Sequence, residues 1–476
     1  MDLMPYPAMK DSGVAWLGEV PEHWEVRRLG QMGRLSKGNG GSKEDEVPTG
    51  VPCVRYGDLY TTHTYFILKS RSFVSPAKAE SYTPIARGDV LFAASGETID
   101  EIGKSAVNLM RSEACCGGDV IVFRPGREVE ARYMGYATDC RPAAAQKATM
   151  GRGITIKHIY GDQLKYLTLA LPPLPEQAAI ARFLNHADRQ IRRYIRTKQK
   201  LIKLLEEQKQ AIIHCAVTRG LDPSVRLNPS GVEALGEVPE KWEVRPAKYF
   251  YREVDERSSR GEEELLSVSH ITGVTPRSLK SITMFMALSY AGHKLCRPGD
   301  LVINTMWAWM GALGVAKHTG IVSPSYGVYR PARNSKLLGD YADLLLRTKP
   351  FVAEYTRRST GIRSSRLRLY PEQFLRVNLV CPSIEDQKAI LDCVASATTA
   401  IRLAMASTFR EINLLREHRT RLIADVVTGK LDVREAAATL PDEADEAEPL
   451  DDTAAVDADE VADDAELDAA PEEDEA

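Results

Sequence analysis

One segment of sixteen residues occurs twice in this chain of 476 residues. Residues 12–27 (SGVAWLGEVPEHWEVR) return as residues 230–245 with 13 of 16 positions identical, at an offset of 218. A segment that contains two glycines, a proline and a tryptophan is not low in complexity, so chance does not explain the match. The repeat predicts that one large module is used twice along the chain.

A second pair of matching segments closes each module. Residues 160–180 contain YGDQ and then LPPLPEQAAI, and residues 370–390 contain YPEQ and then CPSIEDQKAI, at an offset of 210. Between these ends the two interiors have diverged, apart from GDVLF at 88–92 and GDLVI at 299–303. A repeated outer part with unlike interiors indicates one task performed on two different targets.

A long helical pattern follows each proline-rich segment, over residues 176–217 and 385–427. Each helix would have about 42 residues and a length of about 60 Å. We expect the two helices to pair as an antiparallel coiled coil, although each could instead fold back on its own domain. The predicted seams follow heptads: Ile180, Leu184, Ala187, Ile191, Tyr194, Lys198, Leu201, Leu205, Gln208 and Ile212, and Ile390, Val394, Ala397, Ile401, Met405, Thr408, Ile412, Leu415, Leu422 and Val426.

The formal net charge of −4 conceals a basic body and an acidic tail. Residues 441–476 contain 18 Asp and Glu and no Lys or Arg, which leaves 62 basic against 48 acidic residues, or +14, in the rest. Such a tail is predicted to be disordered, and it could screen the basic body or aid solubility; we favour solubility. The basic body indicates a polyanionic partner such as nucleic acid, the alternative being a solvated basic surface.

Other classes of function find little support in the sequence. The N-terminus has no signal pattern, no apolar run is long enough for a membrane span, and the eight cysteines lack CxxC spacing, so we expect a reduced cytoplasmic protein. Nucleotide-binding, amino-methyltransferase and HExxH motifs are absent. We therefore expect no catalytic residue, no metal site and no cofactor in this chain.

Both modules open with Gly-x-x-Pro-x-x-Trp, at Gly18, Pro21 and Trp24 and again at Gly236, Pro239 and Trp242, and both helices start with Glu/Asp-Gln-x-x-Ile. With its alternation of variable domains and long helices, the chain resembles the specificity subunit of type I DNA restriction-modification systems over about residues 12–435. Residues 299–314, 320–324 and 361–370 look typical of one class of their recognition domains.

The resemblance implies an α+β fold, with two α/β target recognition domains separated by two long helices in an antiparallel coiled coil and related by a pseudo-two-fold repeat. The implied divisions are an N-terminal segment (1–23), recognition domain 1 (24–170), a central helix (171–222), a linker (223–241), recognition domain 2 (242–380), a C-terminal helix (381–435) and the acidic tail (436–476). Short strands at 89–92, 119–123, 300–303 and 326–329 and a helix at 342–346 are expected within the domains.

The resemblance also implies partners. The chain would bind double-stranded DNA, each domain reading one half of a bipartite asymmetric site, while the helices would set the spacer. Two methyltransferase subunits carrying S-adenosylmethionine would dock on the helices, and restriction-translocase subunits would join them. The alternatives are a self-contained DNA methyltransferase or nuclease and a coiled-coil scaffold without DNA affinity.

Candidate DNA contacts are basic or aromatic residues near glycines or in turns, because forked donors read base edges and cations bind phosphates. Trp24 and Trp242, which occur in both modules, are expected to be structural anchors between domain and helix. Core packing is the alternative for the two tryptophans among the candidates, which are expected on a strand-like segment. The candidates are Arg55, Tyr56, Lys104, Arg152, Thr155, Lys157, Trp307, Trp309, Lys317, Arg363, Ser364, Arg366 and Arg368.

Overall fold

The computed structural model describes residues 3–41, 43–96, 98–99, 101–153, 156–279, 289–361 and 367–441. The described chain forms two compact units. Unit 1 contains the residues up to Lys198 and those from Arg410 onward, and unit 2 contains Gln199–Phe409. Each unit therefore combines one divergent interior with the start of one long helix and the end of the other.

The strands and helices are short except for two helices of 46 and 44 residues. The strands of unit 1 are β1 (Met9–Asp11), β2 (Glu19–Pro21), β3 (Glu25–Arg28), β4 (Gly33–Lys37), β5 (Glu46–Val54), β6 (Tyr65–Ile67), β7 (Ser72–Val74), β8 (Thr83–Ile85), β9 (Val90–Ala93), β10 (Ser95–Gly96), β11 (Ser105–Asn108), β12 (Ala114–Cys116), β13 (Val120–Pro125), β14 (Lys157–His158) and β15 (Thr168–Leu171). Those of unit 2 are β16 (Leu227–Pro229), β17 (Glu237–Pro239), β18 (Glu243–Pro246), β19 (Tyr251–Glu253), β20 (Leu266–Ser269), β21 (Gly273–Pro276), β22 (Lys294–Cys296), β23 (Leu301–Ile303), β24 (Leu313–Val315), β25 (Gly320–Val322), β26 (Gly327–Pro331) and β27 (Asn378–Cys381). The α-helices are α1 (Leu29–Met32), α2 (Tyr56–Thr61), α3 (Pro76–Ala79), α4 (Ala131–Asp139), α5 (Arg141–Met150), α6 (Gly161–Leu164), α7 (Leu174–Arg219), α8 (Gly339–Leu346), α9 (Lys349–Arg358), α10 (Pro371–Phe374), α11 (Ile384–Val427) and α12 (Arg434–Ala438).

The two interiors contain separate sheets with matching strand orders, although their sequences differ. The main sheet of unit 1 has the order β4-β13-β9-β11-β6, and that of unit 2 has the order β19-β26-β23-β24. The repeated Gly-Asp turns precede β9 and β23, which are entirely buried and occupy matching places in the two orders. The strands predicted at these places and the helix predicted at 342–346 are confirmed. The repeat therefore extends through the interiors as architecture.

A buried glutamine ties each interior to the start of its long helix. In unit 1 the Gln177 side chain accepts a hydrogen bond from the Glu130 backbone N–H (2.8 Å) and donates to the Pro172 carbonyl (2.8 Å). In unit 2 Gln387 accepts from the Leu338 N–H (2.8 Å) and donates to the Pro382 carbonyl (2.9 Å). The repeated Glu/Asp-Gln-x-x-Ile motif is thus a structural clamp.

The end of each long helix contacts the interior of the other module. The Tyr341 hydroxyl donates to the carbonyl of Val217 at 2.8 Å, and the Tyr133 hydroxyl lies 3.3 Å from that of Val427. Gly220 and Gly429 follow the helices with φ of +79° and +76°, the left-handed conformation common after a helix end. They pack against Trp242 and Trp24, respectively. The predicted anchoring role of these tryptophans agrees with this packing.

The long helices α7 and α11 pair antiparallel. In unit 1, Ile180 and Ile423 belong to the same core, and Lys198 pairs with Glu411 at 2.5 Å. In unit 2, Ile213 shares a core with Ile390. The start of each helix therefore meets the end of the other, and the fold class expected from the sequence is confirmed.

The heptad seam predicted for α7 is wrong beyond Ile191, because the buried isoleucines there repeat every eleven residues, whereas six of the ten seam residues predicted in α11 are buried. Buried isoleucines recur at that spacing in both helices, and predicted seam residues such as Tyr194, Leu201 and Gln208 are exposed. Eleven residues correspond to about 3.67 per turn, close to the 3.6 of a straight helix, so the stripe stays on one face without left-handed supercoiling. The eight residues are Ile180, Ile191, Ile202 and Ile213 in α7 and Ile390, Ile401, Ile412 and Ile423 in α11.

Helix α11 also contains a stretch that is long and apolar enough, by length and composition alone, to cross a membrane. The 18-residue window has a mean hydropathy of 1.4, and 22% of it is buried. The sequence had indicated no such stretch. Since its buried isoleucines face α7, we assign the helix to the coiled coil.

The eleven-residue seam predicts which of two adjacent residues stabilises the helix pair. Ile202→Ala should lower the free energy of unfolding by about 2–4 kcal/mol, because it removes a buried side chain. Leu201→Ala, which removes a side chain that is 41% exposed, should cost less than about 1 kcal/mol. Urea denaturation followed by circular dichroism measures both, and a larger loss for Leu201→Ala would support the heptads instead.

Candidate nucleic-acid interface

Each unit carries one short loop closed by a pair of backbone hydrogen bonds. Arg152 and His158 exchange N–H to carbonyl hydrogen bonds of 2.9 and 2.7 Å, and Thr360 and Arg368 exchange bonds of 3.0 and 2.9 Å. We call residues 152–158 and 360–368 the first and second closed loops. They contain the candidates Arg152, Lys157 and Arg368; Thr155, Arg363, Ser364 and Arg366 lie in them but outside the described residues.

The two closed loops are attached to their sheets at the same point. Ile159, after the first loop, donates its N–H to the Ala94 carbonyl at 2.9 Å, just beyond β9. Leu369, after the second loop, donates to the Thr305 carbonyl at 2.8 Å, just beyond β23. Since β9 and β23 match in the repeat, the two basic segments that the sequence pairs occupy equivalent positions, each in its own unit.

The first closed loop borders a cleft of about 630 Å³ in unit 1. His158 accepts or donates a 3.0 Å hydrogen bond with the Ser95 hydroxyl, and its ring stacks on Tyr160 with 6.3 Å between centroids. Lys37 and Lys165 also line the cleft, together with Asp119 and Asp162. The Lys157 ammonium donates to the Gly153 carbonyl at 2.7 Å, so its loop conformation is partly self-supported.

Tyr160 and the two lysines of this cleft were missed by the sequence reasoning. Tyr160 is 57% exposed, and its counterpart Tyr370 in unit 2 is 46% exposed. Both tyrosines had been read only as markers of the repeated outer part. The signal available for these tyrosines was an aromatic residue at the same position of both modules. Burial in the core does not explain its presence, because both side chains are exposed.

The residue after the second closed loop, Leu369, is bonded to Thr305, two residues before a pair of stacked tryptophans. The rings of Trp307 and Trp309 are 5.4 Å apart and inclined by 30°, so they do face one side. The expected strand-like segment is wrong, because these residues form a turn and a 3-10 helix (Ala308–Met310). The Trp309 indole N–H donates to the Met306 carbonyl at 2.9 Å, and both rings are partly buried.

Helix α9 precedes the second closed loop. Two of its arginines form ion pairs with one carboxylate. Arg357 and Arg358 pair with the buried Glu354 at 2.7 and 2.6 Å. Hydrogen bonds from Arg357, and then from Arg358, hold the pKa of Glu354 below its usual range, although burial opposes this. The single Glu354 carboxylate is thus shared by two guanidinium groups.

The remaining candidates lie on other edges of the two units. Arg55 caps α2 and is half-buried, and its Nε and Nη2 atoms are buried without a hydrogen-bond partner. Tyr56 beside it is 43% exposed. Lys317 is exposed in the turn between β24 and β25. Of these, Arg55 is the one whose polar atoms are left unsatisfied.

Lys104, a candidate phosphate contact, is engaged inside unit 1. Its ammonium lies 2.9 Å from the carboxylate of Asp139, a buried residue, and the Asp139 carboxylate lies 3.5 Å from the buried Lys147 ammonium. Lys147 also donates to the Gly103 and Thr138 carbonyls at 2.6 and 2.9 Å. Burial lowers the pKa of Lys147. This cluster gives Lys104 a structural role.

Comparison with known proteins shows what the chain is similar to. The sequence model of the family described as the type I restriction modification DNA specificity domain matches residues 21–204. A structure from work on complex assembly and conformational transition of the type I restriction-modification system aligns with a TM-score of 0.60 and 16% identity, over 87% of this chain and 99% of that one. The shared fold includes both units and both long helices.

Two relatives from Methanocaldococcus jannaschii are type I specificity subunits. The MjaX protein is 28% identical over 233 residues, 48% of this chain and about half (52%) of the relative's own length. The MjaVIII protein is 22% identical over 435 residues, 87% of this chain and 94% of that one. The chain is thus similar to type I restriction-modification specificity subunits over most of its length. The expectation of a non-catalytic subunit agrees with this similarity.

The ion pair of Lys104 predicts a loss of stability when this side chain is removed. Lys104→Ala should lower the free energy of unfolding by about 1–2 kcal/mol, because Asp139 keeps a single cationic neighbour. Lys317→Ala, on an exposed turn, should change it by less than about 0.5 kcal/mol. Urea denaturation compares the two. If Lys104→Ala kept its stability but bound DNA more weakly, Lys104 would be a phosphate contact and not a structural residue.

Proposed function

We propose that each unit reads one half of a bipartite, asymmetric DNA site, with the closed loops as the reading elements. The observation that carries this proposal is the matching attachment of two basic loops to two sheets of the same order but unlike sequence. A repeated scaffold with different loops suits recognition of two different half-sites.

The chemistry of the first closed loop supports contact with a duplex. Arg152 is exposed, and a guanidinium can donate two parallel hydrogen bonds to O6 and N7 of guanine in the major groove. Lys37, Lys157 and Lys165 lie in or beside the cleft, and ammonium groups there would neutralise phosphates. The stacked Tyr160 offers an apolar wall for a sugar or a thymine methyl group.

The second closed loop differs in size as well as in sequence. Seven residues separate Thr360 from Arg368, whereas five separate Arg152 from His158. Arg368 would contact a base edge or a phosphate, and the faces of Trp307 and Trp309 would border the groove. A longer loop beside an apolar wall and a shorter loop beside a polar cleft cannot present the same donors. The two half-sites would therefore differ.

The helix pair is proposed to set the spacer between the half-sites and to bind two methyltransferase subunits. Leu204 and Leu414 are 52% and 64% exposed and occupy equivalent positions, one in each unit. In unit 1 the leucine lines an apolar groove of about 490 Å³ with Tyr194 and Leu415. Equivalent apolar sites suit two copies of one partner, and the repeat would give the copies equivalent positions.

In this proposal the chemistry belongs to the partners. The methyltransferase subunits would bind S-adenosylmethionine and methylate adenine at N6, and restriction-translocase subunits would cleave. The rival function is a coiled-coil scaffold without DNA affinity. Binding of the purified chain to duplex DNA, weakening steeply with salt concentration, is expected of a DNA reader; salt-insensitive or absent binding would favour the scaffold.

The closed loops predict changes confined to one half-site. Arg152→Ala should cost about 1–3 kcal/mol of binding and relax the sequence preference in one half-site, and Arg368→Ala should do the same in the other. Sequencing of modified adenines in DNA methylated by the assembled complex reads both half-sites at once. Arg421→Ala, an exposed arginine on α11, is the control and should alter neither half-site. If both loop variants left the methylated sequence unchanged, the closed loops would not be the elements that read DNA.

The spacer prediction uses the eleven-residue repeat. Deletion of residues 192–202 and 402–412 removes one seam isoleucine from each helix, Ile202 and Ile412, and keeps the remaining seam isoleucines in step. Each helix shortens by about 16 Å, so the spacer should lose about five base pairs at 3.4 Å each. The same methylation sequencing measures it.

A deletion of nine residues from each helix is the matched control, because it turns the seam by about 180° and should unfold the pair. An intact complex with the original spacer after the eleven-residue deletion would show that the helices are not the ruler.

A further inference from the structure

An exposed tyrosine of unit 1 is contacted by two cationic side chains. Tyr166 is 53% exposed. The Arg28 guanidinium lies over its ring at 5.4 Å from the centroid, and the Lys165 ammonium lies at 5.3 Å. Lys165 is also paired with Asp162 at 3.2 Å, whereas Arg28 has no carboxylate partner among the residues that the structure describes. We call Arg28, Lys165 and Tyr166 the first tyrosine cluster.

Unit 2 carries a second cluster of the same composition. Tyr249 is also 53% exposed, with the Arg245 guanidinium 5.4 Å and the Lys248 ammonium 5.7 Å from its ring centroid. Arg245 forms an ion pair with Glu243, and Lys248 has no carboxylate partner within the described ranges of the chain. Arg245, Lys248 and Tyr249 are the second tyrosine cluster. Each cluster thus combines one arginine, one lysine and one exposed ring, and one of its two cations is left without a carboxylate.

The two clusters lie at equivalent points of the fold. In unit 1 the Gly30 backbone N–H, just after β3, donates to the Lys165 carbonyl at 3.0 Å. In unit 2 the Lys248 N–H, just after β18, donates to the Leu375 carbonyl, also at 3.0 Å. The offsets of the repeat, 218 before the interiors and 210 after them, relate each of these residues to its counterpart. The clusters therefore lie where β3 pairs with β15 and where β18 pairs with β27.

The two tyrosines nevertheless occupy different positions of the repeat. Tyr166 precedes β15, and Arg376 stands at its position in unit 2. Tyr249 follows β18, and Gln31 stands at its position in unit 1. One arrangement is therefore built in two ways, with the ring supplied beside either strand of the pair. Duplication alone does not explain this, and both rings lie outside the cores, so the arrangement suits a ligand that both units bind.

The first tyrosine cluster adjoins the cleft beside the first closed loop. Lys165 lines this cleft together with His158 and Tyr160, and the single turn of α6 separates Tyr160 from Lys165. In unit 2 the single turn of α10 likewise separates Tyr370 from Leu375. Such a turn measures about 6 Å, the length of about two base-pair steps. DNA that contacts a closed loop would therefore bring its sugar–phosphate backbone to the tyrosine cluster of the same unit.

We propose that each tyrosine cluster binds the phosphodiester backbone of duplex DNA beside one half-site and supplies affinity that is independent of sequence. The inference rests on the proposed function, in which the closed loops read the bases of the same half-site. The cation without a carboxylate, Arg28 or Lys248, donates to a phosphate oxygen, and the exposed tyrosine packs on a sugar. Contact with the ring restricts the long cationic side chain before DNA arrives, so less entropy is lost on binding.

Salt titration of DNA binding by the full chain tests the cations. Arg28→Ala combined with Lys248→Ala should weaken binding by at least about tenfold at roughly 0.1 M salt, equally for duplexes with and without the recognition sequence. The slope of the logarithm of the binding constant against that of the salt concentration should fall by about two, because two phosphate contacts are lost. Arg416→Ala combined with Lys203→Ala is the matched control, since it removes the same charges from exposed positions on α11 and α7. Its slope should equal that of the native chain.

The possible results separate this inference from the proposed function. Salt-insensitive binding of the native chain would overturn both. Salt-dependent binding of the native chain, with equal slopes in the two double variants, would overturn the role of the tyrosine clusters alone. A changed methylated sequence in Arg28→Ala would show contact with bases and not with the backbone. Loss of methyltransferase subunits from this variant in the absence of DNA would assign the clusters to a protein partner.

Replacement of the rings tests whether they position the cations. Tyr166→Ala combined with Tyr249→Ala should weaken binding about threefold at every salt concentration and leave the slope unchanged, because all four charges remain. Tyr166→Phe combined with Tyr249→Phe keeps the contact between ring and cation and should weaken binding by less than about twofold. Native affinity in the double alanine variant would show that the rings do not position the cations.

Discussion

The antiparallel packing of α7 on α11 is the constraint on which the rest of the structure depends. Eight isoleucines spaced by eleven residues lie along the seam, and the offset of 210 between the modules carries each isoleucine of α7 onto one of α11. The two helices carry the same isoleucine pattern and run in opposite directions. Their register is therefore the same when the two helices are exchanged. Since each unit is built on one end of both helices, this register fixes which interior meets which helix end.

Neither unit is a continuous piece of chain, and the clamps explain why this arrangement is stable. The Gln177 side chain donates to the Pro172 carbonyl just before α7, and the Tyr133 hydroxyl reaches the carbonyl of Val427 at the end of α11. Both contacts are buried, where an unpaired polar group would cost about 1–3 kcal/mol. Each interior is therefore packed against its own helix and the other module's helix together.

Sequence predicted the architecture because the repeated residues are those that make the clamps. The glutamine, the tryptophan and the proline-rich turn recur in contacts that the structure shows twice. The helix seam was predicted wrongly because α7 offers two apolar series, and Leu201 and Ile202 are adjacent; only packing shows which one faces α11. The turn at Trp307 was missed for a similar reason, since a run of apolar residues fits a strand and a 3-10 turn equally well.

The candidate interface was harder to predict, because charge alone does not separate a surface contact from a buried pair. Lys104 and Lys157 look alike in sequence, yet one lies against Asp139 and the other is held within a closed loop. The closed loops are joined to the sheets by backbone hydrogen bonds, which almost any residue can make. The side chains of the closed loops therefore contribute little to the stability of the fold, whereas the side chains of the clamps stabilise it. A protein arranged in this way can exchange the residues of its closed loops with little change in stability, and divergence is then expected to concentrate in these loops.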